Sequence, residues 1–401
     1  MSLRELPPDQ EVKSSRAWWA RFRYVPLVAL VVLSSIAAAT GFVVDREIED
    51  APPLPNDPAA ISGEPDTATA ALPAECAPTV DPPAHEMWLE GQADDAEAVW
   101  DAHAAELEKD YVLGEDGWVF WNDLQAMNFS QGVGRRVLSE EEAAAWHDYL
   151  AKMRDSLAAQ GIPFYIVIGP AKWSIYDDQL PAWAQEIRGS GPLDQLRHLY
   201  PDLPIVDVRQ PLRTESATNQ VFSRVNSHWT DYGAYVGWKT VAECMNDVSP
   251  ELGHFEAAPI TGIATPQDYD EFAPYGISNT TGPDWTVPIY AEPLSPVTVI
   301  GSDGTATVVA GEKPTDLSLL PVETRTEDPQ TESTALILRD SMGNGLSVPF
   351  QQAFSRTWQV RHNFDFPDQL PDVDELVAQH QPDVVILQMA QRHLTFAPTG
   401  D

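Results

Sequence analysis

Fully apolar runs of strand length alternate with amphipathic stretches along the second half of the chain and part of the first. PFYIVIGP (163–170) is a continuous β-branched and aromatic run and predicts a buried strand, as do ALILRD (335–340), WQVRH (358–362) and DVVILQM (383–389), with a shorter one in PIVDV (204–208). Helical spacing falls between them, at about 192–199, Thr230–Met245, 344–356 and 373–380. Ser139-Glu140-Glu141-Glu142 is a capping-box start for a helix running to about Gln160, which Gly161 closes. Helical bias also covers 86–110, and LGEDGWVFW (113–121) reads as a turn and a short aromatic strand. Strands apolar on both faces, separated by helices, predict an α/β fold with a parallel sheet flanked by helices. Between about 250 and 332 the pattern breaks into Pro-, Thr-, Gly- and Val-rich sequence, expected to be an antiparallel, β-rich insertion.

A different pattern opens the chain. Tyr24 to Val44 is a nearly uncharged apolar run, long enough for a bilayer-spanning helix. Arg4, Lys13, Arg16, Arg21 and Arg23 precede it, Trp18 and Trp19 lie at the boundary, and Asp45, Glu47, Glu49 and Asp50 follow. The positive-inside rule then puts a cytoplasmic tail at 1–23, a single-pass anchor at 24–44 and everything after it outside the cytoplasm. A cleaved signal peptide ending near Ala37-Ala38-Ala39 is the alternative. Residues 45–84 are rich in Pro, Ala, Asp, Glu and Thr without periodicity, as a stiff acidic linker would be, so the folded domain is expected over 85–401.

Composition narrows the partners. Sixty-one acidic residues against 24 Lys and Arg give a formal charge of −37, a surface that repels phosphate backbones and excludes nucleic acid. Cys76 and Cys244 form no CxxC or Cys/His cluster, so no thiolate metal site is expected, and nothing in the chain calls for a cofactor. Outside the cytoplasm the two cysteines can form one disulfide; two unpaired thiols are the other reading.

Three segments can carry chemistry. In Leu336–Gly345 a buried strand ends in Asp340-Ser341 and passes through Gly343, Asn344 and Gly345 into a helix. Sites in open α/β sheets form at the carboxyl ends of strands, and free N–H groups at the next helix can hold an oxyanion. Ser341 is there either a nucleophile or only a helix cap. In Asn226–Ala234, His228 precedes a helix beside aromatic residues and is either a general base or structural. Lys172, after the strand at 163–169, either binds an anionic or hydroxyl-rich substrate or is a surface lysine, and Asp207 at the end of PIVDV is similarly placed.

Taken together, GEDGWVFW, PAKWSIYDDQLP, SHWTDYGA, the strand followed by Asp-Ser, and the late QRHL resemble, in order over about residues 110–395, the AlgX/AlgJ group of SGNH-hydrolase-like proteins implicated in O-acetylation of bacterial exopolysaccharides. The resemblance implies a flavodoxin-like SGNH fold, with Ser341 as nucleophile, His228 as general base, Lys172 as the lysine of the P-x-K motif and Arg392 as the late arginine. Gly343 and Asn344 would help the backbone hold the oxyanion. It implies O-acetyl transfer to a cell-surface or secreted polysaccharide, fed by a membrane-embedded acyl-donor partner. Esterase or deacetylase activity through the same acyl-enzyme is the alternative. So is a polysaccharide-binding assembly protein, with Trp118, Trp121, Trp173, Trp183, Trp229, Trp238 or Trp285 stacking on sugar rings. One position departs from the pattern: the family reads Asp-x-His-Trp and this chain Asn226-Ser227-His228-Trp229. Asn can orient an imidazole but cannot neutralise an imidazolium, and the Asp-to-Asn change costs about 10⁴ in rate in a serine protease. Either Asp231 or Asp340 then supports His228, or the enzyme is slow, or the site is a degenerate carbohydrate-binding scaffold.

Overall fold

The computed structural model describes residues 93–398 together with Leu72, Pro73, Cys76 and Trp88. The expected tail and anchor (1–23 and 24–44) lie outside the described residues, as does most of the expected linker. Among the described residues no helix is long and apolar enough to cross a membrane.

After α1 (Ala93–Ala102), a hairpin of β1 (Tyr111–Leu113) and β2 (Val119–Trp121) precedes α2 (Asn128–Val133) and α3 (Glu140–Ala158). Then come β3 (Phe164–Gly169), the short helices α4 (Lys172–Ile175), α5 (Ala182–Glu186) and α6 (Pro192–Leu199), and β4 (Ile205–Val206). α7 (Arg209–Ser216) and α8 (Asp231–Val248) lead into β5 (Ile260–Gln267), β6 (Trp285–Tyr290), β7 (Val297–Gly301), β8 (Ala306–Val309) and β9 (Val322–Thr326). The chain finishes with β10 (Thr331–Arg339), α9 (Gly343–Ala353), β11 (Phe354–Arg361), α10 (Val373–His380) and β12 (Val384–Ala390).

Local chemistry sets the ends of the two long helices. Ser139 and Glu142 exchange both capping-box hydrogen bonds at the start of α3, and Gly161 lies just past its end at positive φ. Thr230 caps α8 by accepting from the Gly233 N–H, so the chain turns sharply out of the His228 segment into that helix.

The central sheet has eight strands in the order β4-β3-β12-β10-β11-β9-β7-β8. The first five run parallel, as the apolar runs predict. The last three are antiparallel, so the sheet is mixed rather than parallel. This corrects the reading of 250–332 as an insertion. Of the strands in this region, β5 and β6 form a separate two-stranded sheet, while β7, β8 and β9 extend the main one. Their sequences hid this because they are covered less than the parallel strands, β8 having three of its four residues exposed, which weakens the apolar pattern.

Alternate residues of the parallel strands feed two cores. Tyr165, Val167, Ala335, Ile337, Val384 and Ile386 face α8 and α9, packing with Trp229, Trp238 and Phe350. Ile166, Ile168, Leu336, Leu338, Val385 and Leu387 face α3 and α10, packing with Trp146, Leu150 and Val377. A sheet covered on both faces leaves one place for polar chemistry, the carboxyl ends of its strands. The linker boundary also moves: Leu72 and Cys76 are buried in the first core, and Cys76 is disulfide-bonded to Cys244 of α8.

Candidate active site

β10 delivers Asp340 and Ser341 to the carboxyl edge of the sheet, and α9 starts two residues later. Asp340 builds the turn. Its Oδ1 accepts from the Met342 N–H at 2.8 Å, and its Oδ2 accepts from Ala390 N–H at 2.5 Å and from His362 Nε2 at 3.3 Å. His393 Nδ1 lies 3.1 Å from the same oxygen. One buried carboxylate thus ties together the ends of β10, β11 and β12. Burial alone would raise its pKa, but the two histidines hold it well below the usual carboxylate range.

Residues 226–229 come from the loop before α8, and two successive side chains meet two successive residues of the serine turn. His228 Nε2 is 2.8 Å from Ser341 Oγ. Trp229, fully buried, donates its indole N–H to Met342 O at 2.8 Å. Behind the imidazole, His228 Nδ1 is 3.1 Å from Asn226 Oδ1, which also accepts from the His228 N–H at 2.9 Å. Asn226 Nδ2 donates to Tyr269 O at 2.8 Å. That last bond decides the amide orientation: flipped, its NH₂ would face an N–H and its oxygen a carbonyl. Asn226 Oδ1 therefore accepts from Nδ1–H, leaving Nε2 as the lone-pair nitrogen facing the serine hydroxyl. Burial pushes the His228 pKa below the ordinary imidazole value; Glu271, then Asp340 and Asp316, oppose this, and Arg392 reinforces it.

The remaining predicted residues sort differently. Lys172 is neither a surface lysine nor free for substrate: it is buried and donates to Ser223 O at 3.3 Å and Arg224 O at 2.8 Å. The rings of Trp118, Phe120 and Phe272 surround its ammonium. Burial pushes its pKa down to about 7, against the attraction of Glu271 and Asp284. Its position pins the strand of chain that leads into Asn226. The N–H of Gly343 is spent on Asp340 O at 3.2 Å, and the Asn344 side chain is spent on Arg339, the Leu317 N–H and Asp316. Neither is available to an oxyanion. Gly343 is needed for space instead, because a Cβ there would come within 2.6 Å of both Arg339 Cδ and Gln388 Oε1.

Arg392 follows β12 and lines a narrow crevice with Trp121, Asn128, Lys172 and Ser227. No acceptor among the described residues takes its guanidinium protons. Asp231 does not support His228, since its carboxylate accepts from Trp285 Nε1 at 3.2 Å, and Asp340 is occupied as above. Asp207 is a buried structural ion, held by Arg209 and Arg197. Of the seven tryptophans considered for sugar stacking, all but Trp121 are buried.

Three contributors escaped the sequence reading: His362, His393 and Glu271. His362 and Glu271 lie in loops and His393 in the short helical turn Gln391–Thr395, each far along the chain from its partner, where no periodicity marks it. Asp340, His362 and His393 also have the spacing of a metal site. The Phe364 N–H donates to His362 Nδ1 at 3.1 Å, however, so Nε2 carries the proton and cannot be a ligand. The donor set fits a hydrogen-bonded strut rather than a metal.

A serine and an oriented histidine in contact at the carboxyl edge of such a sheet define the class, an SGNH-hydrolase-like α/β protein. Residues 111–303 match the family described as "SGNH hydrolase-like domain, acetyltransferase AlgX". A "Probable alginate O-acetylase AlgJ" of Pseudomonas putida is 30% identical over 139 residues, 34% of each chain, and a second of that description from Pseudomonas fluorescens is 27% identical over 152 residues, 35% of each. The matched stretches thus span about a third of these relatives. The structure of Bacillus cereus PatB1 with a sulfonyl adduct superposes with a TM-score of 0.50 at 15% identity, covering 72% of this chain and 100% of that one, a likeness of fold. Over these stretches the chain is similar to the AlgX/AlgJ-type, SGNH-hydrolase-like family. Ser341 and Arg392 lie beyond residue 303, outside that match.

Proposed function

We propose that the chain is an O-acetyltransferase that acetylates a cell-surface or secreted polysaccharide through an acyl-enzyme on Ser341. The observation that carries this is the 2.8 Å contact between Ser341 Oγ and His228 Nε2, with Asn226 fixing the other ring nitrogen. Ser341 Oγ attacks the acyl carbonyl of a donor ester while Nε2 takes the hydroxyl proton. The Ser341 N–H, for which the described residues supply no acceptor, is placed to donate to the oxyanion. Collapse of that intermediate expels the donor alcohol, which takes the proton from His228. A sugar hydroxyl then attacks the acetyl-serine, His228 accepts its proton, and the proton returns to Ser341 Oγ as the sugar ester leaves.

The relatives described as probable alginate O-acetylases support the reaction class. The guanidinium of Arg392, without an acceptor among the described residues, would meet acceptor polymer or donor at the crevice. In this reading residues 24–44 anchor the chain in the cell membrane, with the catalytic domain outside the cytoplasm near a membrane-embedded acyl-donor protein. Hydrolysis with water in place of the sugar is the second reading, because the acyl-enzyme is shared. The discriminating experiment is incubation of the protein with an activated acetyl ester, with and without an oligosaccharide acceptor. Acetylated oligosaccharide, absent with Ser341→Ala, is the expected product. Hydrolysis unaffected by acceptor, with no acetylated sugar, would identify an esterase.

A further inference from the structure

The loop carrying the histidine is clamped by residues 269–271. Glu271 N–H donates to Val225 O at 3.0 Å and Asn226 Nδ2 to Tyr269 O at 2.8 Å. In return, Ser227 donates its N–H to Glu271 Oε2 at 2.6 Å and its hydroxyl to Oε1 at 3.1 Å. The Trp121 indole also favours the charged form of this carboxylate. A half-buried carboxylate receiving this many donors is held ionised, and it sits against the residue immediately before His228.

Asn226 explains why the charge is there. An Asp at this position would turn one carboxylate oxygen onto the Tyr269 carbonyl, breaking the clamp and setting two acceptors against each other. The amide therefore supplies tautomer and aim but no charge, and the imidazolium formed during acyl transfer still needs one.

We propose that Glu271 is a positioning residue that supplies, across Ser227, the negative charge that a directly bonded carboxylate supplies in a Ser-His-Asp triad. Orientation and charge are divided between two side chains, Asn226 and Glu271. The other charged groups facing His228 are Arg392, which opposes its protonation, and Asp340 and Asp316, which favour it. Asp340 and Asp316 are committed to other partners, the serine turn and Asn344 with Ser318. Glu271 also faces Lys172. Its own pKa, which burial alone would raise, lies below the ordinary value because of His228, Ser227 and Trp121.

The inference rests on reading Ser341 and His228 as nucleophile and base, and the test separates the two. Hydrolysis of an activated acetyl ester is measured from about pH 5 to pH 9 for the wild-type chain, Ser341→Ala and Glu271→Gln, with thermal unfolding in parallel. Ser341→Ala retaining the wild-type rate would overturn the pair, and this inference with it. With the pair intact, Glu271→Gln is expected to lower kcat by about tenfold and to move the acid limb of the kcat/KM profile about one unit towards lower pH. A folded Glu271→Gln variant whose acid limb does not move overturns the charge role, whatever its rate, because a merely structural clamp would not change the histidine's titration. Asn226→Asp gives an independent reading should Glu271→Gln fail to fold. It is expected to be less active than wild type, and a rise of about tenfold or more would show that the charge belongs at 226 and not at 271.

Discussion

At the scale of single residues, His228 is pulled in two directions. Burial disfavours its charged form, and the carboxylate of Glu271 favours it. Burial prevails, so the neutral base needed for catalysis persists below the ordinary imidazole range. Because a base must be unprotonated to act, kcat/KM should fall as pH drops through the His228 pKa, with a midpoint below about 6.5. A pH–rate profile with its acid midpoint above that value would contradict the assignment. Lys172 makes an opposite statement about stability. Its native pKa of about 7 lies below the unfolded value, so the unfolded chain holds one more proton between the two. Stability from this group therefore rises with pH above 7 and is lost as pH falls through that value. Denaturant titrations at pH 7 and pH 9 should show this rise, and Lys172→Met should flatten it.

At the scale of elements, the serine turn is set by close packing and by Asp340. Gly343→Ala should cost about 1–3 kcal/mol, because Arg339 is itself held by Gln359, Asn344 and Thr315 and cannot withdraw freely. Asp340→Asn leaves two strand ends and two histidines without their shared carboxylate, and should cost about 3 kcal/mol in urea unfolding. A change under about 0.5 kcal/mol would show that the strut is not structural. The strand–turn–helix carrying Ser341 was legible because three buried parallel strands have unbroken apolar sequences and α9 follows at once. Asn226 and His228 were legible through motif order. The function of Asp340 was not, since its partners come from the ends of two other strands, and a sequence shows no such juxtaposition. Lys172 was misread for a related reason: a lysine after a strand looks exposed until the aromatic hairpin of β1 and β2 folds over it.

At the scale of the molecule, the sheet is longer than its apolar runs suggest. β7, β8 and β9 join it through antiparallel pairing with β11, and, less covered than the parallel strands, they carry too weak an apolar pattern to announce it. Glu271 was hidden because it lies in the connection between β5 and β6, which has no periodicity, yet it reaches the histidine loop. The Cys76–Cys244 bond closes a long loop, with a sequence separation of 168, and fastens Cys76 in the first core to α8. Cys244→Ser should lower unfolding stability by about 2–5 kcal/mol, read from denaturant curves under oxidising conditions. Equal stability of the two proteins would mean that the bridge adds nothing to the fold.

The central claim is that Ser341, activated by His228, carries the acyl group. Intact-mass spectrometry of the protein quenched soon after mixing with an activated acetyl ester, followed by peptide mapping, tests it most directly. The account predicts a single acetyl adduct on Ser341, absent in Ser341→Ala and slow to form in His228→Ala. Ester turnover that persists unchanged in Ser341→Ala, with no adduct on Ser341 in the wild-type chain, would contradict it.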